Sequence, residues 1–81
     1  MKLKIHAFAS IRDSLGSAVV ELDLEDNATV GDLKTVLSEK HPELAPLISR
    51  SAVSVDLQYA NDETGLKESN EIALIPPVSG G

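Results

Sequence analysis

Leu3, Ile5 and Ala7 alternate with Lys2, Lys4 and His6 at the start of the chain. This period of two predicts a half-buried strand. Phe8 falls in the charged phase, so it either covers a neighbouring element or waits for a partner. Val20, Leu22 and Leu24 alternate with Val19, Glu21 and Asp23 and predict a second strand. The stretch between them, residues 10–17, reads as a connection. Ile11 and Leu15 stand four apart within it and would share the core side of one helical turn. Gly16 can end that turn in a left-handed conformation.

Asp26-Asn27 is a turn signal. Thr29 then opens a helix: its hydroxyl caps the first turn, and Asp32 completes a capping box with a short acid. Val30, Leu33, Val36 and Leu37 form one apolar stripe. Gly31 weakens the helix by about 1 kcal/mol relative to Ala, so packing must hold it. Lys40 and His41 suit the C-terminal end and Pro42 stops the helix. Residues 42–48 read as a loop with one short turn, in which Leu44, Leu47 and Ile48 plug a core edge. Val53, Val55 and Leu57 share one phase of a further strand. Tyr59 begins a short return strand, and Leu66 plugs the core after the loop 61–65. Glu71 to Ile75 forms the last strand, with Ile72 and Leu74 inward and Ala73 and Ile75 on the same side as Phe8. The order strand, strand, helix, strand, short strand, strand fits an α+β chain of the β-grasp type. In that fold a mixed sheet wraps one main helix, and the first and last strands lie side by side at its centre.

Eighty-one residues suffice for one domain, residues 1–81, with 76–81 as an extended C-terminal tail. There is no Cys, which removes disulfides, cysteine-ligated zinc and a thiol nucleophile. Seven Lys and Arg stand against thirteen Asp and Glu, a net charge of −6. With Phe8 and Tyr59 as its aromatics, such a chain is a poor nucleic-acid binder and a fit partner for a basic protein surface. No apolar run approaches a membrane span or a signal peptide, so a cytoplasmic protein without a membrane association is expected.

The last six residues are Pro76-Pro77-Val78-Ser79-Gly80-Gly81. The proline pair favours an extended path directly after a strand. From Pro77 the segment reaches roughly 16 Å at about 3.3 Å per residue. Gly80 and Gly81 carry no side chains, so the tip can enter a channel too narrow for other residues. It ends in a carboxylate that ATP can activate as an acyl-adenylate, from which a sulfur or amine nucleophile displaces AMP. Taken alone, Gly-Gly is equally compatible with a frayed end; the whole hexapeptide after a strand is the stronger signal.

These residues resemble the MoaD/ThiS family of ubiquitin-like sulfur carriers, and within it the molybdopterin synthase branch. Phe8-Ala9-Ser10-Ile11-Arg12 with Gly16 looks like the family's first strand and connection. Thr29-Val30 with Leu33 looks like its helix start, and Asn70-Glu71-Ile72-Ala73 like its approach to the last strand. The tail is the specific part. The resemblance implies that Gly81, preceded by Gly80, is adenylated by an E1-like activating enzyme that consumes ATP, with no cofactor bound permanently by this chain. Gly81 then becomes a thiocarboxylate. The tail, Pro76, Pro77, Val78 and Ser79 included, would insert into the large subunit of molybdopterin synthase within a heterotetramer. There the sulfur passes to cyclic pyranopterin monophosphate, forming the molybdopterin dithiolene. The chain itself would not be an enzyme. The resemblance also implies docking through an apolar patch at Phe8, Tyr59 and Ile75. Asp56 departs from the Asn often found in the family, and Tyr59 from a more usual aliphatic residue.

His6 and His41 have no metal-ligand spacing, so no metal site is expected. Ser14, Ser17 and Ser79 have no base nearby in sequence for nucleophilic chemistry. Three other functions share the same tail: a carrier for thiamin thiazole, tRNA thiolation or cysteine synthesis, a ubiquitin-like protein modifier, or a binding module with an inert end.

Overall fold

The computed structural model describes residues 1–77. The elements run β1 (Lys2–Ala7), α1 (Ala9–Leu15), β2 (Val19–Asp23), α2 (Val30–Lys40), a 3-10 turn at Pro42–Leu44, α3 (Ala45–Arg50), β3 (Ala52–Val55), β4 (Gln58–Ala60) and β5 (Ile72–Ile75). The sheet has five strands in the order β2-β1-β5-β3-β4. β1 and β5 pair in parallel at the centre, with Ile5 opposite Ile72 and Ala7 opposite Leu74. The remaining pairs are antiparallel. This is the mixed sheet of a β-grasp, with the first and last strands adjacent as expected of that fold.

One face of the sheet forms the core. Leu3, Ile5 and Ala7 of β1, Leu22 of β2, Val53 of β3 and Ile72 and Leu74 of β5 are buried on it. Val30, Leu33 and Leu37 of α2 pack over them, while Val36 is half-buried at the rim. Burying each such aliphatic side chain is worth about 1.5–3 kcal/mol. α1 contributes Ile11, fully buried, and ends at Gly16 with φ +74, the left-handed residue expected there.

Two segments are more regular than the periodicity suggests. The connection after β1 is a helix of seven residues, and residues 42–50 form a 3-10 turn followed by a six-residue helix. The prolines there occupy first-turn positions, where the missing N–H leaves no bond unmade. Ile48 is the residue of α3 that enters the core, and Leu44 and Leu47 pack at its edge.

The start of α2 is held twice. The Thr29 hydroxyl accepts from the Asp32 N–H at 3.3 Å, and the Asp32 carboxylate accepts from the Thr29 N–H at 3.0 Å. The loop after β4 supplies further acceptors. Val30 N–H donates to the Thr64 carbonyl and Gly31 N–H to the Asp62 carbonyl, both at 2.9 Å. Gly31 is what lets that loop approach: a Cβ there would sit 3.2 Å from the Asp62 oxygen. Gly31→Val should therefore destabilise the domain by about 1–3 kcal/mol in urea unfolding, as overpacking does elsewhere. A midpoint equal to the wild type would show that the loop does not clamp the helix.

Candidate docking face and tail exit

The outer face of the sheet carries the candidate site. Strand alternation and register place Lys2, Lys4 and His6 of β1 on it, with Val19, Glu21 and Asp23 of β2 on one side. Ala73 and Ile75 of β5, Ala52 and Ser54 of β3 and Tyr59 of β4 lie on the other. Lys2 stands opposite Asp23 and Lys4 opposite Glu21, so the charges at one end are matched across strands. Apart from His6, the rest of the face is apolar or small. Ala52, Ser54 and Ala73 form a shallow floor between Ile75 and Tyr59.

Phe8 caps β1 on this face. One residue further along the β1–β5 register it comes beside Ile75. The chain turns away at Ala9, whose φ is +51, a left-handed value that costs a non-glycine residue roughly 1–2 kcal/mol. That turn sends α1 and its Ile11 to the core side and leaves Phe8 49% exposed. Tyr59 is 77% exposed and Ile75 half-buried. Phe8 and Ile75 are thus brought together by adjacent strands. Tyr59 lies across β3 from them, on the same face without being beside them.

Ile75 is still paired with Ala52 when the chain leaves the sheet. Pro76 is buried and Pro77 exposed. A proline has no N–H to satisfy, so its burial leaves only a carbonyl to accommodate. The tail thus starts from a residue packed on the domain. Val78, Ser79, Gly80 and Gly81 lie outside the described residues.

The β3–β4 hairpin differs from the periodicity. Leu57 shares the phase of Val53 and Val55, but it is 85% exposed. The strand ends at Val55 and the chain reverses through Asp56 and Leu57, with φ values of +52 and +70. Two left-handed residues linking Val55 to its partner Gln58 describe the two-residue hairpin whose twist matches the strands. Asp56 tolerates this conformation better than most residues and is tied down. Its N–H donates to the Glu71 carbonyl, and its carboxylate accepts from the Glu71 N–H and the Asn70 side-chain amide, each at 2.8 Å. Val19, 41% exposed, is an outer-face residue that the sequence reading did not single out. Its signal was present, since it sits in the polar phase of β2 as Phe8 does in β1.

His6 is exposed on the outer face and His41 caps the end of α2, with Nδ1 4.0 Å from a Glu43 carboxylate oxygen. The Ser17 hydroxyl donates to the Val19 carbonyl at 2.8 Å, a local turn bond. Among the described residues no helix is long and apolar enough to cross a membrane.

The chain resembles known proteins over its full length. It is 31% identical over 83 residues to the molybdopterin synthase sulfur carrier subunit of Chlamydomonas reinhardtii, covering all of both chains. It is 32% identical over 82 residues to small archaeal modifier protein 1 of Haloferax volcanii, covering 91% of this chain and 94% of the relative. A crystal structure of SAMP1 from Haloferax volcanii superposes with a TM-score of 0.84 at 29% identity, covering all of both chains. The sequence profile of the ThiS family matches residues 5–81, and the chain belongs to this ThiS/MoaD family of ubiquitin-like β-grasp proteins.

Proposed function

We propose that this chain is the sulfur carrier subunit of a molybdopterin synthase. What carries the reading is the placement of β5. The strand is paired on both sides and ends at Ile75, on the face that carries the exposed Phe8, with a buried Pro76 and then the residues Pro77-Val78-Ser79-Gly80-Gly81 following in sequence. The full-length similarity to subunits of that name supports it.

The chemistry follows from the terminal carboxylate. On an E1-like enzyme the Gly81 carboxylate attacks the α-phosphorus of ATP, and pyrophosphate leaves with the broken P–O bond. Hydrosulfide then displaces AMP from the acyl-adenylate, its sulfur forming the new bond to the carbonyl carbon as the C–O bond to AMP breaks, and a thiocarboxylate results. With the tail in the large subunit, that sulfur passes to cyclic pyranopterin monophosphate, and water returns the glycine to a carboxylate. Two carriers supply the two sulfurs of one dithiolene, which suits a heterotetramer. General acid–base groups come from the large subunit. This chain contributes a rigid base, an apolar docking face and a slim terminus, in a cytoplasmic setting. Its acidic surface would favour a basic rim on either partner.

A second reading has its own support. The similarity to small archaeal modifier proteins fits a terminus joined through an amide to protein lysines. Under that reading, cells carrying a tagged chain contain conjugates that survive denaturing gels and disappear when Gly81 is deleted.

Deleting Gly81 should abolish sulfur transfer to the pterin precursor in a reconstituted synthase and leave the melting temperature unchanged. Undiminished transfer by the shortened chain would overturn the proposal. Phe8→Asp should weaken binding to the large subunit about tenfold or more by calorimetry, the value of burying one large side chain. Its stability should fall by less than about 1 kcal/mol, because half of Phe8 is already in water. Equal losses in binding and stability would place Phe8 in the core.

A further inference from the structure

The β3–β4 hairpin exposes Leu57 in a conformation that works against a branched aliphatic residue twice. Its φ of +70 lies in the left-handed region, and 85% of its surface is in water. Nothing in the core repays either disadvantage, since Leu57 is neither in the buried cluster nor packed on it. The turn is nonetheless rigid. Asp56 is locked to Asn70 and Glu71, and Asn70 in turn accepts from the Lys67 N–H at 2.7 Å. The tip is therefore held in place with its apolar residue outward. Tyr59, 77% exposed, stands two residues away.

The location separates this tip from the tail. Val55 pairs with Ile72 and Ala52 with Ile75, so the hairpin lies at the start of β5 and the tail leaves from its end. About 10 Å of strand divides them at roughly 3.3 Å per residue. Asp56 and Glu71 are the acids at the tip, joined by the bond from the Glu71 N–H to the Asp56 carboxylate. Those acids, in a chain of net charge −6, oppose a second copy at this surface and suit a cationic protein.

We propose that the Asp56–Leu57 hairpin tip is a preformed anchor, with Leu57 entering an apolar socket rimmed by Lys or Arg on the synthase large subunit while the tail occupies that subunit's active site. This rests on the synthase reading above and adds a second point of attachment to it. Gripped at both ends of β5, the carrier would be held against rotation about its tail.

Leu57→Asn tests it, because Asn is tolerated at positive φ and removes the apolar side chain. The variant should melt at or above the wild-type temperature. Calorimetric titration with the large subunit should show binding weaker by about tenfold or more. A Glu71→Lys substitution should weaken it further and flatten its salt dependence. Wild-type affinity in Leu57→Asn would overturn the anchor and leave the synthase reading standing. No binding by the wild-type chain would overturn both. A wild-type dimer in sedimentation that Leu57→Asn dissociates would replace the large subunit by a second copy and also overturn the proposal.

Discussion

The parallel pairing of β1 with β5 is the constraint on which the rest of the structure depends. A parallel pair cannot be closed by a hairpin, so residues 8–71 must cross over between its members. That crossover carries α2, which covers one face of the sheet and leaves the other open. The same pairing puts the last strand at the centre, where β1 and β3 hold it from both sides. A terminal strand at an edge would fray; this one cannot release without opening the middle of the sheet. The base of the tail thus inherits the stability of the core, including a buried Pro76.

The two faces of the sheet divide the work. The inner face is a continuous aliphatic core, Leu3, Ile5, Ile72 and Leu74 against Leu33 and Leu37 of α2. No side-chain nitrogen or oxygen buried among the described residues lacks a partner. The outer face keeps its apolar residues in water, and two sites of left-handed non-glycine backbone, Ala9 and Asp56–Leu57, lie beside them. Strain of this kind persists where surrounding structure over-determines it, and here it presents Phe8 at one end of the sheet and Leu57 at the other.

Much of this was legible in the sequence because the sheet obeys a strict period of two. β1, β2 and β5 each bury one phase, and the capping box of α2 is written in Thr29 and Asp32. Phe8 and Ile75 announced the outer face by falling out of phase. The failures have physical causes. α1 and α3 are too short for a helical period to show, and first-turn prolines in residues 42–50 read as breakers. Leu57 continued the alternation of β3 by coincidence. The hairpin begins at Asp56, and an Asp-Leu pair lacks the glycine that usually marks such a turn. What rigidifies the tip, the bonds from Asp56 to Asn70 and Glu71, joins residues far apart in sequence and leaves no local trace.

Intact mass spectrometry of the chain after incubation with ATP, a sulfur source and its activating enzyme tests the central claim most directly. The account predicts a mass increase equal to the exchange of one oxygen for sulfur, located by fragmentation at Gly81. A chain that stays a plain carboxylate, while the same enzyme arms a known carrier in a parallel reaction, would contradict it.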